Sequence, residues 1–176
     1  MDDASLSGKL CRLRPYRRGD EAAICSVADD FMVARWMTQR FPHPYTRPDA
    51  ERWVEVATRD SPPRYFAIEV DGVLAGGAGF EPHGGERAGT AEFGYWLGRA
   101  YWGRGIGTDA ARVLTEHALE RLALRRLEAR VFEQNMASAR VLEKCGFVLE
   151  AKLYGAYVDR SGAACNALLF ARLATT

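Results

Sequence analysis

Cysteine and histidine are scarce in this 176-residue chain, and neither is arranged for chemistry. Cys11, Cys25, Cys145 and Cys165 show no C-x-x-C spacing, and His43, His83 and His117 do not cluster with them. A zinc site and a disulfide framework are therefore both disfavoured, no metal is expected, and each cysteine reads as a small buried hydrophobe. Long apolar runs are missing too: nothing approaches the roughly 20 residues needed to cross a bilayer. The start, Met1-Asp2-Asp3, is acidic rather than signal-like, so a cytoplasmic protein is expected. Excess charge is also absent, since 24 Lys plus Arg against 23 Asp plus Glu leave +1. No global field recruits nucleic acid or an anionic membrane, and partner choice must be local. Repeats, linkers and low-complexity tracts are lacking, and the length fits one domain, residues 1–176, able to bury a sizeable core.

Glycine, by contrast, is plentiful and concentrated. The stretch Tyr101-Trp102-Gly103-Arg104-Gly105-Ile106-Gly107-Thr108-Asp109-Ala110 joins an apolar run, Ala91 to Leu97, to a long amphipathic segment. It reads as the hinge of a strand-loop-helix unit. Its alternate glycines allow positive φ and a close ligand approach, while the helix start offers unpaired N–H groups and the positive end of its dipole. That is a place for a phosphate. Spacing weakens two nucleotide readings, because a dinucleotide fingerprint needs G-x-G-x-x-G and a Walker loop needs Gly-Lys followed by Ser or Thr.

Around this hinge the pattern predicts an α/β domain. Lys9 to Arg14 alternates as a first strand; Asp20 caps a helix carrying Ile24, Val27 and Ala28 to about Asp29; Phe31 to Met37 holds a second short helix. The prolines of Phe41-Pro42-His43-Pro44-Tyr45 enforce an extended or turned backbone before a helix from Thr46 to Asp60, which Pro62-Pro63 closes. Tyr65 to Val70 and Val73 to Phe80 flank Asp71-Gly72, a strong hairpin signal, and Gly76, Gly77 and Gly79 point to a bulge or a close backbone neighbour. Pro82 to Gly89 is a polar loop and Ala91 to Leu97 a strand. The helix from about Ile106 to Leu122 carries a stripe of Ala110, Val113, Leu114, Ala118 and Leu122, and Arg125 to Phe132 alternates as a half-buried strand. Strand, crossover helix and strand imply a right-handed βαβ unit with a parallel pair. Asn135 or Ser138 caps a helix to Lys144, ended by Gly146, and Phe147 to Tyr157 and Ala164 to Leu173 form the last strands.

The loop Trp102-Gly103-Arg104-Gly105-Ile106-Gly107 resembles the acyl-CoA pyrophosphate loop of the GNAT N-acetyltransferase superfamily, Q/R-x-x-G-x-G/A. It departs at the first position, where Trp replaces a charged residue and throws weight onto backbone amides. Three further stretches agree in order and spacing: Phe41 to Thr46, Ala91 to Leu97, and Asn135 through Ser138 to Phe147. Together they resemble the ribosomal-protein-alanine N-acetyltransferase (RimJ/RimL-type) branch over nearly the whole chain. The resemblance implies a mixed, mostly antiparallel sheet splayed at one parallel strand pair, with helices on both faces. It implies acetyl-CoA as donor and an amine acceptor, either a protein N-terminal α-amine or a small amine.

Carried over residue by residue, the resemblance places the pantetheine arm on backbone groups of Tyr95, Trp96 and Leu97. The pyrophosphate falls on the amides of Gly103, Arg104, Gly105, Ile106, Gly107 and Thr108, and Asn135 hydrogen-bonds the pantetheine. Independently of any family, orphan N–H and C=O groups between parted parallel strands can pair with a ligand amide as an added strand would. Arg104 either adds a charge to the phosphates or is a solvated loop cation. Trp102 and His117 read as packing, Tyr154 and Tyr157 as core or edge packing against lining the acceptor side, and His43 with Tyr45, in the segment expected to border the acceptor entrance, as a turn packed on the core.

An alkyl amine is protonated at neutral pH, so a proton must be removed and another supplied to the departing thiolate. Glu92, on the strand face shared with Gly94 and Trp96, is the candidate base, directly or through water, against a salt-bridged surface glutamate. Ser138 resembles the serine that assists the departing sulfur in the ribosomal-protein branch, against a helix cap. Leu142 stands where many GNAT enzymes carry a tyrosine, so that acid is not expected. Cys145 lies nearest the presumed acyl site and is the thiol to check. No serine or cysteine sits beside a base as a nucleophile, so direct attack in a ternary complex is expected. The alternatives are a non-catalytic acyl-CoA-binding or sensing module and, third, a nicotinamide-dependent Rossmann protein; monomer and homodimer both stay open.

Overall fold

The computed structural model describes residues 4–175, so the acidic start Met1-Asp2-Asp3 lies outside them. Short strands β1 (Leu6–Ser7) and β2 (Arg12–Pro15) precede helices α1 (Glu21–Ala28), α2 (Phe31–Ala34) and α3 (Arg47–Ala57). Strands β3 (Tyr65–Val70), β4 (Val73–Pro82) and β5 (Thr90–Leu97) follow, then α4 (Ile106–Glu116), β6 (Arg126–Phe132), α5 (Met136–Lys144), β7 (Val148–Val158) and β8 (Ala164–Leu173). The hydrogen-bonded strand order is β1-β2-β3-β4-β5-β6-β8-β7. β5 and β6 run parallel, from Thr90↔Arg126 to Glu92↔Glu128, while β1-β2, β2-β3, β3-β4, β6-β8 and β8-β7 are antiparallel. The mixed sheet with one parallel pair agrees with the expected fold class.

The chain divides into two compact units, Met1–Gly79 with Tyr95–Leu114, and Phe80–Gly94 with Thr115–Thr176. In the first, the β3-β4 hairpin turns on Asp71 (φ 50°) and Gly72 (φ 78°), the paired positive φ of a two-residue turn that suits strand twist. α3 begins at a capping box, in which the Asp49 carboxylate accepts from the Thr46 N–H at 2.8 Å and from its hydroxyl. Tyr16, Ile24, Ala28, Tyr45, Ala50, Val54, Ala57, Ala67 and Leu74 form one core, against which Trp53, Tyr65 and Trp96 pack.

Several boundaries differ from expectation. The strand expected from Lys9 is β2 and starts at Arg12, preceded by an unexpected β1, because Gly8 N–H bonds Cys11 C=O and Leu10 N–H donates to Asp109 at 2.7 Å, turning residues 8–11 away from the ladder. Asp20 occupies the N-cap position of α1 without capping it; its carboxylate grips Arg14 through two 2.8 Å hydrogen bonds, and Arg14 donates a third at 2.8 Å to Glu69. These side chains are 10% (Arg14) and 6% (Asp20) exposed. α3 stops at Ala57, before Asp60.

The three glycines of β4 have the close neighbours expected of them. A Cβ on Gly76 would lie 2.2 Å from the Trp96 carbonyl oxygen, one on Gly77 2.2 Å from the Tyr16 hydroxyl, and one on Gly79 2.4 Å from the Tyr65 ring. No side chain fits there.

In the second unit, α4 passes into a π-helical segment, His117–Arg121, whose Leu122 N–H bonds His117 C=O. The wider turn rotates the buried stripe onto Ala118 and Leu119, leaving Leu122 only half-buried. Along β6, Leu127 and Ala129 are buried as expected, yet so is Glu128, because three arginines surround it. Gly146 takes φ 80° after α5, the left-handed position that ends a helix. Tyr157 packs on Phe132 at 5.2 Å, but Tyr154, expected to pack, is 79% exposed on β7.

Gly76→Ala should lose at least about 1–3 kcal/mol, the usual cost of overpacking, because a carbonyl oxygen cannot step aside. Gly84→Ala, with nothing within 4 Å, should stay within about 0.5 kcal/mol of the parent in the same urea titration.

Candidate active site

In the first unit, β5 ends at Leu97 and the chain passes through residues 98–105 into α4. Trp102 is anchored by its indole N–H, which donates to the Leu97 carbonyl at 2.8 Å, so it is a packing residue with an exposed edge. Gly103 (φ 70°) and Gly105 (φ 79°) both need the left-handed region, and a Cβ on Gly103 would meet nothing within 4 Å. Gly107 opens α4 against Tyr95 and Leu97, with 3.2 Å from its Cβ position to the Tyr95 ring. Asp109 N–H closes the first helical bond to Gly105 C=O, so the Ile106 and Gly107 amides precede the helical ladder and face along the axis. This is the geometry of an anion site, open beside Gly103 and bordered at Gly105 by the Leu10 side chain, 3.2 Å from the Cβ position, and it fits a phosphate.

A carboxylate already stands in that first turn. Asp109 is buried, but its oxygens are turned to the residue 8–11 turn, accepting from Leu10 N–H at 2.7 Å, with Arg112 at 3.5 Å. Burial, and next the charge of Asp109, push the Cys11 thiol up to about 12. Burial likewise raises Cys25 and Cys165, so none of these three is poised as a thiolate, and Cys145 is buried. Arg104 lies 5.9 Å over the Tyr101 ring. Trp96 faces away from Tyr95 along the strand and meets Phe41 at 5.3 Å, and Phe41 meets Tyr45 at 5.0 Å.

In the second unit, Glu92 sits on β5 with its side chain 41% exposed, and its Oε2 accepts from Arg130 at 2.8 Å. The salt-bridged reading of Glu92 is thus correct as geometry; Oε1 remains the oxygen turned from that bond. Arg130 also reaches Glu128 at 3.4 Å, and Glu128 is held by Arg87 at 2.7 Å and Arg126 at 2.9 Å. Burial alone would raise the Glu128 carboxyl, but the Arg126 hydrogen bond and the charges of Arg87 and Arg126 hold it below the usual range. Burial, and then the Glu92 charge, raise the Tyr157 phenol. Asn135 rather than Ser138 is the N-cap of α5: its carbonyl oxygen accepts from the Ser138 N–H at 3.2 Å, which brings the two residues together and leaves the Asn135 amide NH₂ for another partner.

Sequence reasoning missed Arg130. The signal was there, since Arg126, Glu128 and Arg130 alternate on one strand face opposite Glu92's strand, but alternation alone made them only the polar face of a half-buried strand. Among the described residues no group of three or more His, Cys, Asp or Glu is placed to hold a metal ion, and no helix is long and apolar enough to cross a membrane.

A family model described as an acetyltransferase (GNAT) domain matches residues 11–148. An uncharacterized N-acetyltransferase, p20 of Bacillus licheniformis, is 30% identical over 145 residues, 80% of each chain. A probable N-acetyltransferase of Bacillus subtilis, YjcK, is 48% identical over 58 residues, a stretch spanning 33% of this chain and 32% of that relative. The structure of Mycobacterium smegmatis RimJ, in complex with CoA-disulfide, superposes with a TM-score of 0.84 at 26% identity, covering 97% of this chain and 87% of that one.

The Glu128 carboxyl titrates lower in the folded protein than in the unfolded chain. Its contribution to stability is therefore complete above the unfolded value, roughly 4.3, and is lost as pH falls through the folded value. Between about pH 6 and pH 3 the urea midpoint of the parent should fall more steeply than that of Glu128→Gln. Equal slopes would remove Glu128 from the acid transition.

Proposed function

The chain belongs to the GNAT acetyltransferases, and from that premise we propose that it transfers an acetyl group from acetyl-CoA to a primary amine, as one catalytic domain, by direct attack in a ternary complex. The carrying observation is the start of α4, where Gly103 and Gly105 take left-handed φ and the Ile106 and Gly107 amides precede the helical ladder. Acetyl-CoA, when bound, supplies an activated thioester carbonyl. The amides from Gly103 to Thr108 hold its diphosphate, and the backbone of Tyr95, Trp96 and Leu97 pairs with the pantetheine. Asn135 donates its amide NH₂ to the pantetheine while its carbonyl caps α5.

Glu92 is the base that receives a proton as the C–N bond forms, using the oxygen turned from Arg130, directly or through water. Ser138 assists the sulfur as the C–S bond breaks. The acceptor is a protein N-terminal α-amine, and the branch is the RimJ/RimL type. That assignment is supported by the 26% identity to RimJ over nearly the full chain and by the lower intrinsic pKa of an α-amine, about 7.7 to 8.0, which eases deprotonation. A small amine is the second acceptor class.

Acetyl-CoA offered with pooled N-terminal peptides and small amines should release free thiol, with the α-amine peptides acetylated first. Glu92→Gln should lower kcat/KM by about 10²-fold or more, within the usual range for a positioned base, and Ser138→Ala should lower kcat more than it changes KM. Tight coenzyme A binding with no thiol release from any amine would leave a binding module instead. Unchanged rates in Glu92→Gln and Ser138→Ala together would remove both from the chemistry.

A further inference from the structure

Glu128 is buried on β6, at a position where strand alternation alone would put a solvated side chain. Its partners make the burial tolerable: Oε1 accepts from Arg126 Nε at 2.9 Å and Oε2 from Arg87 at 2.7 Å. Arg126 in turn reaches Glu150 at 2.8 Å. A buried carboxylate answered in this way does not swing, because leaving either partner would strand a charge out of water. Two arginines already neutralise it, yet a third, Arg130, also turns toward it, at 3.4 Å.

Arg130 stands two residues further along β6, on the same strand face. Its guanidinium is a planar fork with its N–H groups at fixed angles. Nη2 donates the longer bond to Glu128 Oε2, and Nη1 donates to Glu92 Oε2 at 2.8 Å. β5 and β6 pair in parallel with Glu92 opposite Glu128, so the two carboxylates stand side by side across the ladder and one fork spans both. An ordinary exposed ion pair holds neither partner, since both side chains can wander. Here one end of the bridge is fixed by the buried carboxylate, and the Arg130 side chain is only 24% exposed. Glu92, 41% exposed, is left as the partner to be oriented. All of these residues belong to the second unit.

A base must hold its lone pair where the proton will be, and a glutamate on a strand surface has several rotatable bonds with which to miss. In the step proposed above, the C–N bond forms, the C–S bond breaks and the proton lost by nitrogen passes to Glu92. The departing thiolate takes up one proton as Glu92 gives its own to solvent. With Oε2 occupied by Arg130, Oε1 is the oxygen to which the proton goes.

Resting on the reading of Glu92 as the base, we propose that Arg130 is its positioning residue: one prong of the fork is set by buried Glu128, and the other occupies Glu92 Oε2 and so presents Oε1 to the substrate nitrogen. Glu128, Arg87 and Arg126 act only through the arginine.

Thiol release from acetyl-CoA with an alanine-initiated peptide tests this. Arg130→Gln should lower kcat by about 10- to 10²-fold, the cost of a misplaced group, with KM for the peptide within about twofold of the parent. Arg130→Lys keeps the charge without the fork and should recover only part of the loss. Full recovery would make charge sufficient and overturn the pinned geometry. In a Glu92→Gln background Arg130→Gln should lower kcat no further, since nothing is left to position. Glu128→Gln loosens the first prong and should lower kcat more weakly, again only while Glu92 is present; an unchanged kcat would overturn Glu128 as the pin. If Glu92→Gln slows transfer but Arg130→Gln does not, or if Arg130→Gln slows it equally in both backgrounds, the positioning role is overturned and the base stands. Were Glu92→Gln as fast as the parent, the base itself would fail and take this role with it. Should Arg130→Gln not fold, Arg130→Lys carries the same comparison: it should be slower than the parent only while Glu92 is present.

Room-temperature crystallography of the parent and Arg130→Lys needs no turnover. Glu92 should occupy one rotamer in the parent, with Oε2 on Arg130, and several in Arg130→Lys. One shared rotamer in both, or several in the parent, would overturn the positioning role whatever the rates.

Discussion

The close approach of β4 to the end of β5 is the constraint on which the rest of the first unit depends. At Gly76 the Trp96 carbonyl lies where a Cβ would be, and at Gly77 the Tyr16 hydroxyl does. With that contact made, the Gly98 N–H bonds the Ala75 carbonyl at 2.9 Å, which holds the chain as it leaves β5. Trp102 then returns its indole N–H to Leu97. The glycine loop is thus fixed at its start by main chain and at its end by the first turn of α4. Only between those anchors, at Gly103 and Gly105, is the backbone left in conformations that ordinary residues avoid.

The carboxylates divide into two kinds. Asp20, Asp109 and Glu128 are buried and committed: to Arg14, to the residue 8–11 turn, and to three arginines. A buried carboxylate with every lone pair answered is structural, and removing its partners would leave an uncompensated charge. Glu92 and Asp29 are half exposed, and each has one protein partner set that orients it, Arg130 for Glu92 and the Tyr45 amide with His43 for Asp29. Neither kind can be told from the other by residue type.

The cysteines and tyrosines show the same division between composition and environment. Burial raises Cys11, Cys25 and Cys165, in keeping with scattered thiols that do no chemistry. Tyr157 is drawn into a ring contact with Phe132, whereas Tyr154, three residues earlier on the same strand, stands in solvent. The ladder of β7 with β8 is irregular between Leu153 and Tyr157, and simple alternation does not carry across such a shift.

Local signals of short range were legible in the chain: Asp71-Gly72 as the hairpin turn, Gly146 as the end of α5, Thr46 as the start of α3, the crossover that makes β5 and β6 parallel, and the glycine loop before α4. Each rests on a backbone conformation or a period that neighbouring residues dictate by themselves. What folding alone decided was which side chains meet across long separations. The π-helical turn moved the α4 stripe, Arg14 took Asp20 from its capping role, three arginines buried Glu128, Arg130 claimed one oxygen of Glu92, and Asp29 came to His43. These pairings depend on the register of strands and the ends of helices, and a charge finds its partner by position in space, which periodicity along the chain does not encode.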